Sequence, residues 1–234
     1  MKELIREVFE CNLCSDIAAF EKTFYYNNPS PEIGILMQNP AFPSKKEKSE
    51  LQNAITFEEQ IQVQVKYLRE WVSNSGHFFK PFFILLKQKG LISYDELANY
   101  RYSGGYLSDF YFFDAVKCRS VTKDITLEHF TNCSRFVERE LDQLSKIKII
   151  FSFSSRTWEH FKEKFNPRLV KKDVQLNNMK VTSAHGHHFS ILYKNRIIYV
   201  IPLVHMSERI FNNLLRNSYF DYLEEGLDEL VNIK

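Results

Sequence analysis

Four cysteines, Cys11, Cys14, Cys118 and Cys133, are the only thiols in the chain. Cys11 and Cys14 form a Cys-x2-Cys, and fourteen residues separate Cys118 from Cys133. Four thiolates can hold a [4Fe–4S] cluster or a structural zinc ion, and four unrelated buried thiols would hold neither. A second pair this widely spaced is unlike the tight double knuckles of zinc ribbons and leaves room to wrap a larger cubic cluster, but the residues alone keep all three readings open. Other polar residues stand where apolar runs end. Gln38-Asn39-Pro40 follows one run and His205 another, while Asp114 lies inside Phe112-Phe113-Asp114-Ala115-Val116-Lys117-Cys118-Arg119. Taken alone, Asn39-Pro40 is a strand-to-turn signal, His205 is as readily a satisfied core histidine, and Asp114 is as readily the partner of a nearby lysine or arginine. An ionised carboxylate accepts hydrogen bonds and donates none, so Asp114 suits an amino group better than a carbonyl.

The elements that must position these residues are legible as short apolar runs. Ile33–Gln38, Phe110–Val116, Lys146–Phe153 and Arg196–Val204 are rich in β-branched and aromatic residues and predict buried strands. Between and after them lie helical patterns at Leu127–Leu144, Thr157–Phe165 and Ser207–Leu230, with a further helix at Phe82–Lys89. Alternating strands and helices predict an α/β fold around a parallel sheet, whose ligands bind at the carboxyl ends of the strands. The 234 residues, 44% apolar and 15% aromatic, suffice for a single domain with a sizeable core. Ser44–Asn74 is charged, Gln-rich and helical in period, and reads as an insertion that either adds to the substrate side or covers the core. No apolar run reaches membrane-spanning length, and the charged N-terminus lacks a signal peptide's apolar core. A cytoplasmic protein with reduced thiols is therefore expected. A net charge of +2 does not by itself announce a nucleic-acid binder.

Taken together, Cys-x2-Cys, a long gap, Lys117-Cys118-Arg119 after an apolar strand, and Cys133 resemble the iron–sulfur branch of the uracil-DNA glycosylase superfamily. Gln38-Asn39-Pro40 resembles that superfamily's first catalytic loop, and His205-Met206-Ser207 its second, with Met206 where proline is usual. Met37 also departs from the small residue usual before the first loop, and Asp114 replaces the usual asparagine. The resemblance extends from Cys11 to about Arg216. It implies a three-layer α/β/α fold around a central four-stranded, mainly parallel sheet, with residues 1–234 forming one glycosylase-like domain interrupted at 44–74.

The same resemblance implies the roles. Asn39 would orient the attacking water, and His205 would donate to the departing base. Gln38, Ala41, Phe79 and Asp114 would line the base pocket, with Phe79 stacking on the flipped base. Ser207, Arg209, Ile210 and Phe211 would enter or grip the duplex as the base flips, and His185 and His187 would make polar contacts to DNA. The four cysteines would hold a structural [4Fe–4S] cluster, with zinc as the alternative. Ala41 stands where one branch has a tyrosine that excludes a substituent at C5 of the base, so that space is open. With Asp114 as an acceptor for an amino group, the expected substrate is a modified cytosine, such as the hypermodified cytosines of phage DNA, and the expected role is anti-phage defence. Uracil excision in repair and a catalytically inactive DNA-binding module are the alternatives. The expected partner is DNA, with no membrane, and the expected state is a monomer.

Overall fold

The computed structural model describes residues 1–14, 22–25, 30–39, 43–119, 125–169, 179–205 and 218–231. A six-stranded sheet has the order β2-β1-β3-β6-β5-β4. Its strands are β1 (Ile33–Met37), β2 (Phe110–Asp114), β3 (Ile149–Phe153), β4 (Arg168–Leu169), β5 (Phe189–Tyr193) and β6 (Arg196–Leu203). β1 runs parallel to both β2 and β3, and β3 runs parallel to β6. These four are the strands predicted from sequence. Helices cover both faces of a parallel sheet, so its strands read as continuous apolar runs, and β2 and β3 are buried at every position.

The sheet is wider than the four strands expected. β5 pairs antiparallel with β6, and β4 antiparallel with β5. The β5–β6 hairpin turns at Lys194-Asn195, both with positive φ (46° and 66°), as a two-residue hairpin loop requires. β5 escaped the sequence reading because it alternates, with Leu192 exposed and Ile191 buried. Pro202 lies in β6 beyond the last residue paired with β5, so its missing N–H leaves no ladder bond unmade on that side.

The helices are α1 (Lys2–Glu10), α2 (Lys45–Asn53), α3 (Phe57–Asn74), α4 (Gly76–Gln88), α5 (Leu97–Ser103), α6 (Leu127–Gln143), α7 (Ser155–Phe165), α8 (Val181–Ala184) and α9 (Tyr219–Val231). β2 shows how the layers divide. Phe110 meets Phe82 and Phe83 of α4, whereas Tyr111 points the other way and its hydroxyl donates to Glu140 of α6. α4 runs against the strands: Phe82 lies beside Phe110 at the start of β2, and Phe78 beside Phe153 at the end of β3. The N-terminal turn of α4 therefore sits at the carboxyl ends of the sheet.

The 44–74 segment forms two helices rather than one. Ser44 caps α2, and a Thr56/Glu59 capping box starts α3. α3 buries Ile61, Val65, Leu68 and Val72 in the common core. Gln64, also buried, accepts from the Phe24 amide at 2.9 Å and donates to the Lys22 carbonyl at 2.9 Å. This segment thus covers the core and satisfies the backbone of 22–25. Among the described residues no helix is long and apolar enough to cross a membrane.

Candidate active site

Chain order reverses around β1: β2 lies on one side of it and β3 on the other. In open α/β sheets such a reversal opens a crevice at the carboxyl ends. Four of the predicted site residues stand along that edge. Gln38 and Asn39 follow β1, Asp114 ends β2 opposite Met37, and His205 follows β6. The Ala115 and Val116 amides donate to the carbonyls of Met37 and Gln38 and so lock the first two loops side by side.

Gln38 works on its neighbours. Its Nε2 donates to Asn39 Oδ1 at 3.2 Å, and its Oε1 accepts from Ser154 Oγ at 3.2 Å. Ser154 has no counterpart in the sequence reading. It caps α7 through a bond from the Thr157 amide, and its own amide donates to Leu203 O at 3.1 Å. It therefore joins the ends of β1, β3 and β6. Its φ of 90° and ψ of 153° lie in a region that only glycine enters freely. Such strain persists only where the surroundings impose it, and here Gln38, Thr157 and Leu203 do so.

The peptide before His205 is clamped from two sides. His185 Nδ1 accepts from the Val204 amide at 3.2 Å, and Tyr219 Oη donates to the Val204 carbonyl at 2.8 Å. His185 Nε2, 3.0 Å from the Tyr219 carbonyl, then carries the ring proton and donates it there. Burial pushes the His185 pKa down to about 4, which keeps this neutral tautomer. The expectation that His185 touches DNA is therefore corrected: the ring is buried, both nitrogens are engaged inside the fold, and its work is to hold the β6 loop. Close backbone approach makes this possible. Gly186 has φ +80°, and a Cβ on Gly226 of α9 would lie 1.8 Å from Gly186 O. His187 is exposed on the same turn. His205 is solvent-accessible, yet the protein around its ring disfavours the cation and lowers its pKa.

Asp114 is 1% exposed. Thr23 Oγ1 donates to its Oδ2 at 3.1 Å, and Oδ1 has no hydrogen-bond partner among the described residues. Burial raises its pKa to about 7, against the opposing pull of Lys117, the Thr23 bond and Arg119. Lys117 itself is buried in an ion pair with Glu140, and Arg119 bonds Glu47 of α2 at 2.5 Å. Tyr25, buried beside this group, is held in its phenol form by desolvation and then by Asp114. Thr23, Tyr25, Glu47 and Glu140 come from distant segments in patterns that nothing in the sequence marks as a site. Phe79 lies at the N-terminal turn of α4, level with the strand ends. It is fully buried, with Trp71, Phe78 and Phe83 rings around it. Ala41, Met206, Ser207, Arg209, Ile210 and Phe211 lie outside the described residues.

The fold brings the cysteines together at the other end of the Lys117-Cys118-Arg119 segment. Cys133, in α6, contacts both Cys118 and Cys14, and Cys11 lies near Cys14. The Lys117 amide donates to Cys133 Sγ at 3.5 Å, Arg135 to Cys11 Sγ at 3.5 Å and Asn132 to Cys14 Sγ at 3.8 Å. Contact with Cys118 holds the Cys133 thiol down at about 6, the same contact raises Cys118, and burial pushes Cys14 up to about 11. Among the described residues no three His, Cys, Asp or Glu side chains are arranged to ligate one metal ion. Three of the four sulfurs accept hydrogen bonds, contacts of the kind that orient thiolate ligands.

A family model for the uracil DNA glycosylase superfamily matches residues 24–228. No curated protein matches the chain. The match takes in both strand-end loops, Asp114 and the clamp around Val204, and it extends over most of the sequence. The chain belongs to the uracil DNA glycosylase superfamily, whose members are DNA glycosylases.

Proposed function

We propose that the protein is a DNA N-glycosylase of the iron–sulfur branch that flips a 5-modified cytosine from the duplex and hydrolyses its glycosidic bond, in defence against phage DNA carrying such bases. Asp114 is the observation that carries the substrate choice. A buried carboxyl with one oxygen unpartnered among the described residues, at the carboxyl end of β2, suits an exocyclic amino group.

The remaining roles follow from position. Cleavage of an N-glycosidic bond develops positive charge on the sugar and negative charge on the base, so stabilising the leaving base matters more than a strong nucleophile. His205, neutral at pH 7, donates a ring N–H to the base, and the His185–Tyr219 clamp on Val204 fixes where that ring stands. Asn39 orients water, with its own amide held by Gln38 and through it by Ser154. Ser207, Arg209, Ile210 and Phe211, which follow His205 in the sequence, grip the DNA, and His187 adds a polar contact. The protein acts as a monomer. Cys11, Cys14, Cys118 and Cys133 would hold a [4Fe–4S] cluster, whose contribution when bound is to cross-link α1, the segment after β2 and α6; zinc is the alternative for the same donors.

Separate duplexes carrying uracil, cytosine, 5-methyl-, 5-hydroxymethyl- and glucosylated 5-hydroxymethylcytosine test this, with abasic sites and freed bases detected by mass spectrometry. Release of a modified cytosine is expected. Release of uracil alone would return the protein to repair of deaminated DNA. Asp114 also favours that second reading, because a protonated carboxyl can donate to uracil O4 while accepting from N3–H.

A further inference from the structure

We propose that Asp114 is a catalytic acid that delivers a proton to N3 of the flipped cytosine, so that the base departs neutral. This rests on the cytosine reading above and assigns a reaction step to a residue that the reading uses only for recognition.

The geometry singles out one oxygen. Thr23 Oγ1 donates to Asp114 Oδ2, while Oδ1 is buried and without a partner among the described residues. A buried polar atom left without a partner is costly, and a bonded substrate removes that cost. Cytosine presents an acceptor at N3 beside a donor at N4. Oδ1–H facing N3, and Oδ2 accepting from N4–H through its second lone pair, make a bidentate match. An ionised carboxylate would instead press one oxygen against the N3 lone pair. The acid is therefore the form that binds and the form that reacts.

The proton balance closes. The O–H bond of Oδ1 breaks, its pair stays on the carboxylate, and the N3 lone pair forms the new N–H bond. The C1′–N1 bond then breaks with its pair going to N1, which gives a neutral base tautomer and a sugar cation. Water oriented by Asn39 adds to C1′ and releases one proton, and one proton restores Asp114. His205 donates to the departing base throughout, which a neutral histidine can do.

The surroundings can hold a proton on Asp114 near neutrality. Desolvation opposes the anion and Glu140 of α6 adds to it, whereas Lys117 and Arg119 after β2 favour the anion. Tyr25 stands in the same field, with Glu47 of α2 tied to Arg119. The balance places titration at about pH 7.

Single-turnover release from a duplex carrying 5-hydroxymethylcytosine, measured from pH 5.5 to 9, tests the proposal with wild type and Asp114→Asn. The wild-type rate should fall about tenfold per pH unit above about 7. Asn can donate to N3 and accept from N4–H but cannot yield a proton. Asp114→Asn should therefore bind a non-cleavable 2′-fluoro duplex within a few-fold of wild type, release base about 10²-fold or more slowly at pH 6, and show a flat profile. A duplex whose base has C–H in place of N3 should bind and stay intact. If wild type releases the base while Asp114→Asn matches its rate, or the N3-less base is excised equally well, the acid role is overturned and the cytosine reading stands. If wild type excises only uracil, the cytosine reading fails and the acid role falls with it.

Discussion

Asp114 has a cost in the folded state that the proposed acid role requires. Its folded pKa is about 7, against an ordinary carboxyl value of 3.8. Between those values the folded protein holds a proton that the unfolded chain has lost. The stabilisation is complete below about pH 3.8 and disappears as pH rises through about 7. Above that, folding must bury a carboxylate. The Asp114→Asn protein keeps the shape and escapes the charge, so it should be more stable than wild type at pH 8, by up to about 4 kcal/mol, and the gap should narrow at pH 5 and close only below about pH 3.8. Urea denaturation at the two pH values reads both effects. Gain of stability with loss of function at one residue is the expected mark of a strained active site. His205 and Asn39 differ in kind. Neither carries a buried unpaired charge, so His205→Ala and Asn39→Ala should leave the denaturation midpoint close to wild type. Each should slow base release by about 10²–10³-fold, the usual loss when one group that stabilises or orients the transition state is removed. Single-turnover kinetics beside the melting curves would show the two effects separately.

At the scale of elements, the end of β6 is the part the rest of the fold works hardest to fix. Val204 is bonded at both backbone groups, by His185 from the turn after α8 and by Tyr219 from the start of α9. That turn reaches Val204 because α9 lies against it at backbone distance through Gly186 and Gly226. Helix propensity favours Ala over Gly by about 1 kcal/mol. Gly226→Ala should do the opposite here, because its Cβ would sit 1.8 Å from Gly186 O. The overpacked interface should lose about 1–3 kcal/mol, read as a lower thermal midpoint. Tyr219→Phe removes one hydroxyl, costs about 1 kcal/mol, and should lower the base-release rate more than DNA affinity, since it acts through the placement of His205. Neither contact was legible in the sequence. Ala184-His185-Gly186-His187-His188 resembles a metal tract or a source of polar contacts to DNA, and only the fold turns its first and last histidines inward. The four parallel strands were legible because burial on both faces leaves continuous apolar runs; Asn39 and His205 stood out because each is polar where such a run ends, and Asp114 because it is polar inside one. β5 was hidden by its exposed alternate residues. The break between α2 and α3 was written in Thr56-x-x-Glu59, a capping box inside a stretch read as one helix.

Across the whole molecule, Asp114 and two of the four cysteine contacts share one stretch of chain. Asp114 ends β2, Lys117 follows with its side chain on Glu140 and its amide on Cys133, and Cys118 comes next. Thr23, which fixes Asp114 Oδ2, also receives its own backbone bond from this stretch, its amide donating to Lys117 O at 2.8 Å. Lys22 pairs with Cys118 in an antiparallel bridge and donates to the Phe9 carbonyl at the end of α1. A thiolate-held group at Cys11, Cys14, Cys118 and Cys133 would therefore brace the segment that aims Asp114, although it touches no base. It would also close loops of about a hundred residues between α1 and the other two ligands, and such closure stabilises by restricting the unfolded chain. Anaerobically purified protein should be brown with absorbance at roughly 400 nm if the group is a [4Fe–4S] cluster, and colourless with bound zinc otherwise. Cys133→Ser should abolish that signature, lower the melting midpoint, and raise hydrogen exchange in α1 and in residues 22–25 and 115–119 while leaving β3 and β6 protected. Exchange that rises evenly over the sheet would mean that the cysteines hold the whole fold together, and no change anywhere would mean that they are ordinary buried thiols.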